Sequence, residues 1–286
     1  VLCSEEYRIA LRQQLAAGAR SFAAARQAAV QTLCPGSDIA ALLDKPNNNL
    51  AVEYCKAIIE QDVEMQPIAL PRQGADHGQA LTESAHAAFA SASALRTLWA
   101  EGGAVALAPY VPEKALKLYI MTEYDGKYTD FAVMGHCELA LLRAACAGQA
   151  PFAAVRGVSE GLEHRLENAV RETASLPALL DALTTVRYPR ARMRRLAMDA
   201  ALGYTAQTPA LPPYLHLLGA RKEALPLLGE TALPLSHSLA RLARENGTCA
   251  QMAAAQSRAS DLGALCRAKP EPMGGIYRQK IIFLTN

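Results

Sequence analysis

Five arginines fall within nine residues, at positions 187, 190, 192, 194 and 195 of Arg187-Tyr-Pro-Arg-Ala-Arg-Met-Arg-Arg195. Guanidinium forks grip phosphate oxygens in pairs. A dense set of them points to a phosphate polymer, with RNA binding that weakens as salt rises. The alternative is a solvated helix face, or one paired with Glu160, Glu163 and Asp181. No acid lies between Arg187 and Asp199, which tips the balance to RNA.

A second set is scattered. Asn47 and Asn48 stand in Lys45-Pro-Asn-Asn-Asn-Leu-Ala-Val-Glu-Tyr54, ahead of an expected helix from Leu50 to Gln61. Amide side chains and free backbone N–H groups at a helix start can hold phosphate or a base edge. Capping of the helix by Asn48 or Asn49 is the commoner use of such residues. A run expected to be a short buried strand ends at Ile68-Ala-Leu70, so Arg72 would emerge at the sheet edge where α/β folds bind ligands. Pairing with Asp76 is the other reading. Arg96 opposes the dipole of a helix begun by Ser91 or Ser93, a cost of about 0.3–1 kcal/mol that a bound phosphate would offset. A solvated arginine accounts for it equally well. His77, between Gly74 and Gly78, is a candidate proton shuttle, although loop histidines are more often simply exposed. No metal-ligand cluster is expected.

Two regions must position these groups. Residues 1–103 read as alternating helix and strand, the C-terminal portion of a Rossmann-like domain with too few strands for a whole sheet. Helices are expected over Glu5 to Ala17, from the Ser21 cap to Leu33, and after Ser91. Residues 104–286 read as mainly helical. Leu116 to Ile120 fits helix or strand. Leu162, Leu166 and Val170 face inward on a helix after Ser159, and Ser175 caps another. Pro189 opens a helix through Ala201, with Met193, Leu196, Ala197, Ala200 and Ala201 as its apolar stripe. Further helices are expected over Leu225 to Leu228, Leu235 to Arg244, Ala250 to Ser257 and Asp261 to Cys266. The strongest strand signal runs from Gly274 to Leu284. The expected fold is therefore α/β, then mostly α, with a C-terminal strand.

Composition sets limits. The chain has 286 residues, 51% of them apolar, and a net charge of +2, so any basic surface is local. No run of about 18 apolar residues suggests a membrane span. Seven scattered cysteines without a CxxC pair suit a cytoplasmic protein with free thiols. The chain begins at Val1 inside an apparent helix, and the expectation is that further protein lies upstream.

Taken in order, the motifs resemble the bacterial tRNA(Met) cytidine acetate ligases, a branch of the nucleotidylyltransferase superfamily. They are Gly18-Ala-Arg-Ser-Phe-Ala-Ala-Ala, the Lys45–Tyr54 stretch, Arg72 through His77, and Ser91-Ala-Ser-Ala-Leu-Arg96. They continue with Ser159-Glu-Gly-Leu-Glu-His-Arg-Leu, Val186-Arg-Tyr-Pro-Arg-Ala-Arg-Met-Arg-Arg and Pro213-Tyr-Leu-His-Leu-Leu-Gly-Ala.

The resemblance implies an enzyme that activates acetate with ATP, accompanied by Mg²⁺, and acetylates N4 of the wobble cytidine of elongator tRNA(Met). ATP contacts would map to Asn47 and Arg72, with Asn48 and Arg96 beside them. The arginine run would face tRNA. The family's N-terminal His-x-Gly-His motif is not found in this sequence. Asn49 replaces the usual Ile, and Ala51 the usual Gly. Two rival readings stay open. One is an adenylyltransferase acting on a small phosphorylated metabolite, and the other is an RNA-binding remnant without catalysis.

Overall fold

The computed structural model describes residues 1–19, 21–44, 46–70 and 90–284. These form two compact units, one of residues 1–74 with 185–187, the other of the remainder. Among the described residues, helix predominates. The only sheets among these residues are two parallel pairs, each of two strands.

In the first unit α1 (Glu5–Ala16) and α2 (Phe22–Leu33) begin as their sequences require. The hydroxyls of Ser4 and Ser21 accept from the N–H groups of Tyr7 and Ala24, satisfying donors that the helix cannot. Tyr7, Ala10, Ala29, Val30, Ala40 and Leu43 make the small core. A 3₁₀ segment, Asp38–Asp44, leads to α3 (Pro46–Glu60). This helix starts four residues earlier than expected. Proline is pre-set for the first helical turn and has no N–H to waste there, so Asn47, Asn48 and Asn49 lie inside the helix and not in a turn before it.

The buried strand expected before Arg72 does not form. Residues 63–70 belong to no helix or sheet, and Ile68 and Leu70 are 80% and 87% exposed. A strand needs a neighbour for its N–H and C=O groups. Among the described residues of this unit there is none.

The second unit carries the main core. Helix α4 (Ala92–Gly102) is capped by Ser91, whose Oγ accepts from Ala94 N–H at 3.2 Å. Leu116 to Ile120, open to either reading from sequence, lies in α5 (Glu113–Tyr124). Then come α6 (Phe131–Ala145), α7 (Leu162–Glu172), α8 (Leu176–Leu183) and α9 (Arg190–Ala201). Leu142 of α6, Leu162, Leu166 and Val170 of α7, Leu179 and Leu183 of α8, and Met193 and Ala197 of α9 form one buried cluster with Phe152. Leu166 is fully buried. Leu166→Ala is expected to cost about 2–5 kcal/mol through lost burial and the cavity left behind, measured as a shift of the urea midpoint with unchanged slope.

Beyond α9 the elements are short. Strand β1 (Leu215–His216) pairs with β3 (Leu235–Ser236), and β2 (Gly219–Arg221) with β4 (Ile282–Leu284). Only three residues of the expected C-terminal strand pair, because Gly275–Arg278 turns as a 3₁₀ segment. Leu225 to Leu228 lies in another 3₁₀ segment, Lys222–Glu230. The single helix expected over Leu235 to Arg244 is β3 followed by the short α10 (Leu239–Leu242). The two helices expected after it are one, α11 (Gly247–Leu265), begun by the Asn246 side chain accepting from Cys249 N–H.

Candidate nucleic-acid interface

Helix α9 sorts its residues as the 3.6-residue period demands. Met193, Leu196, Ala197 and Ala200 are buried, while Arg190, Arg192, Arg194 and Arg195 are exposed. Pro189, with φ −59°, caps the helix start. Arg187, also exposed, precedes it. The apolar stripe anchors the helix, and the burial of that stripe forces the arginines outward together.

Their surroundings differ from the simple picture. Arg190 forms an ion pair with Asp181 of α8. Such exposed pairs contribute at most about 1 kcal/mol, so a phosphate can displace the carboxylate. Arg192 lies over the ring of Tyr188, 5.1 Å from its centroid. Asp199, the acid that ends the basic run, is taken by Arg156 through two contacts of 2.7 and 3.0 Å. Arg156 also stacks on Tyr204 at 5.3 Å. The fold thus neutralises Asp199 from outside the run. Arg194 and Arg195 make no ion pair among the described residues.

Beneath this face lies a residue the sequence reading passed over. Glu138 of α6 is 2% exposed, and its Oε1 has no hydrogen-bond partner. Helices α7, α8, α9 and α11 pack on α6. Burial pushes the Glu138 carboxyl up from its ordinary 4.5 to about 7, with the Arg194 guanidinium pulling the other way. Its position was legible: Glu138 stands four residues before Leu142, in step with the buried stripe of α6.

The nucleotide candidates are less gathered. Asn47 and Asn48 lie in the first turn of α3, where backbone N–H groups lack helical partners; Asn48 is half-buried. Asn49 does not cap the helix from outside. Its Nδ2 donates back to Leu43 C=O at 2.6 Å, tying α3 to the 3₁₀ segment. Arg96 is exposed on α4, whose start the Ser91 hydroxyl already serves. Asn47 and Asn48 belong to the first unit and Arg96 to the second. Arg72 and His77 lie outside the described residues.

A family model described as HIGH Nucleotidyl Transferase matches residues 2–274. The chain belongs to the HIGH nucleotidyl transferase family. Its relatives there bear out the resemblance drawn from the motifs. The tRNA(Met) cytidine acetate ligase of Listeria monocytogenes serotype 4b (strain CLIP80459) is 30% identical over 183 residues, 63% of this chain and 45% of the relative. The ligase of Thermoanaerobacter sp. (strain X514) is 27% identical over 229 residues, 78% of this chain and 55% of the relative. The chain thus spans about half the length of the curated relatives it matches.

Among solved structures, Thermotoga maritima TmcAL (apo, form I) aligns with a TM-score of 0.83 and 21% identity, over 99% of this chain and 71% of that one. The same protein bound with alpha-thio ATP aligns at 0.82. At that identity the likeness establishes the fold: a HIGH nucleotidyl transferase chain that is predominantly helical, with small parallel sheets.

Proposed function

We propose that the chain forms part of an ATP-dependent tRNA(Met) cytidine acetate ligase, with residues 1–103 contributing to the nucleotide domain and residues 104–286 holding tRNA. In this reaction the acetate carboxylate attacks the α-phosphorus of ATP and pyrophosphate leaves. The N4 amine of the wobble cytidine of elongator tRNA(Met) then attacks the acetyl carbonyl, and AMP leaves. Mg²⁺ enters with the triphosphate as part of the substrate. The supporting observation is the family match across residues 2–274, joined to an arginine face whose one terminal acid is already paired.

In this reading Asn47 and Asn48 hold nucleotide at the start of α3. Arg72, with Arg96 as an accessory, meets phosphate charge as it develops. Arg187, Arg190, Arg192, Arg194 and Arg195 contact the tRNA backbone. His77, within the Arg72 through His77 motif, is a candidate for ligand contact. No chemical step is assigned to it.

Two measurements test this. Incubation of the full-length protein with ATP, acetate and elongator tRNA(Met) should give N4-acetylcytidine. Pyrophosphate release that is independent of acetate would favour an adenylyltransferase with another acceptor. The second measurement addresses RNA. Replacing Arg190, Arg194 and Arg195 together by alanine is expected to weaken tRNA binding and to flatten log Kd against log[salt] by roughly 2 to 3, since each lost phosphate contact removes about 0.7–0.9 from the slope. An unchanged slope would count against an RNA-facing α9. A steep slope without any acetylation would favour an RNA-binding protein.

A further inference from the structure

A hydrogen bond joins two of the family-like motifs, Ser159-Glu-Gly-Leu-Glu and Arg187-Tyr-Pro-Arg. The Tyr188 hydroxyl donates to Glu160 Oε2 at 3.1 Å, across 28 residues. The Tyr188 ring in turn carries the Arg192 guanidinium at 5.1 Å.

We propose that Glu160 and Tyr188 form a buttress that holds Arg192 ready for an RNA phosphate, so that an acid beside the basic face aids RNA binding. The proposal rests on reading α9 as the RNA-binding helix, and it adds two positioning residues to it.

Three observations carry it. The first is backbone strain. Glu160 has φ +57°, a left-handed conformation that is unfavourable for a residue with a Cβ. Strain of this kind persists where the surrounding structure requires it. Gly161 follows at φ +80° and begins α7. The two left-handed residues turn the chain sharply before Leu162, which is 1% exposed and locks the helix into the core.

The second is the geometry of Tyr188. It immediately precedes Pro189, whose fixed φ leaves the entry to α9 little freedom. With the hydroxyl held by Glu160, the ring is fixed at its far end, and its face is turned to Arg192. An arginine otherwise loses much rotamer freedom when it grips a phosphate. One already stacked on a held ring loses less.

The third is electrostatic. Glu160 is an acid beside the arginine run. If charge alone mattered, removing it would strengthen RNA binding. Positioning predicts the opposite, and this difference in sign separates the two.

The test is the affinity of the chain for an elongator tRNA(Met) transcript at several salt concentrations. Glu160→Ala is expected to bind roughly three- to tenfold more weakly. Glu160→Gln keeps an acceptor for Tyr188 while removing the charge, and should bind at least as tightly as the parent. Tyr188→Phe loses the hydroxyl and should match Glu160→Ala. The double variant Glu160→Ala/Tyr188→Phe should lose less than the sum of the two single losses, because the two residues share the Tyr188–Glu160 hydrogen bond.

Equal or tighter binding by Glu160→Ala, with the Arg190/Arg194/Arg195 alanine variant weakened, overturns the buttress and leaves the RNA helix standing. Unchanged binding by that arginine variant overturns the RNA reading and the buttress with it. Should Glu160→Ala fail to fold, Tyr188→Phe against Glu160→Gln decides the question.

Discussion

Glu138→Gln is expected to stabilise the protein at pH 8 and to remove much of the pH dependence of its melting between pH 5 and 8. The Glu138 carboxyl titrates near its ordinary 4.5 when unfolded and at about 7 when folded. Between these values the folded state binds more protons than the unfolded state. Stability therefore falls as pH rises through this window and levels off above it. Each tenfold separation of the two constants is worth about 1.4 kcal/mol, so the loss on reaching pH 8 is on the order of 3 kcal/mol.

A glutamine is neutral throughout and carries no such loss. Its amide must still lie where Oε1 already lacks a partner, which costs part of the gain. A net advantage on the order of 2 kcal/mol at pH 8, shrinking toward zero or reversing near pH 5, is the expected result. Thermal melts of both proteins across this range read it directly. Parallel pH profiles would show that Glu138 does not titrate in this way. The field of Arg194 links this proton to the arginine face, so Arg194→Ala should push the Glu138 transition still higher.

Arg72→Ala, made in the full-length protein, is expected to lower ATP-dependent acetylation of tRNA by about 100-fold or more, the usual loss when a group facing transition-state charge is removed. Arg72→Lys should recover only part, because a point charge does not reproduce a guanidinium fork on phosphate. Binding of tRNA should be unchanged in both, since the arginines proposed to hold RNA lie on α9 and just before it. Full acetylation by Arg72→Ala would remove Arg72 from the nucleotide site.

Hydrophobic spacing carried most of the helical unit. Leu162, Leu166 and Val170 recur at helical intervals, as do Met193, Leu196, Ala197 and Ala200, and each set is buried as the period requires. Ser21, Ser91 and Ser175 cap helices because a short hydroxyl before an apolar run is a local signal, read without knowledge of the fold. Where sequence misled, a non-local term decided. Ile68 and Leu70 have strand-like side chains, but strand formation depends on a partner, and the described residues offer none. Pro46 reads equally as a turn residue and as the first residue of a helix. The packing of α3 on the Asp38–Asp44 segment and the Asn49 bond to Leu43 settle it as the latter.

The sequence by itself determined that the four arginines of α9 would share one surface, because the apolar stripe of the helix leaves them no other side. It determined the family as well, through the order of short motifs. Only the tertiary structure decided what each arginine meets. Asp181 reaches Arg190 from α8, Arg156 removes Asp199 from across 43 residues, and Glu160 fixes Tyr188 beneath Arg192. It alone decided that Glu138 is buried where its charge is costly. The reason is physical: burial periodicity is set by neighbours three and four residues apart, whereas ion pairs and desolvation are set by whichever distant residues the packed helices bring within a few ångströms.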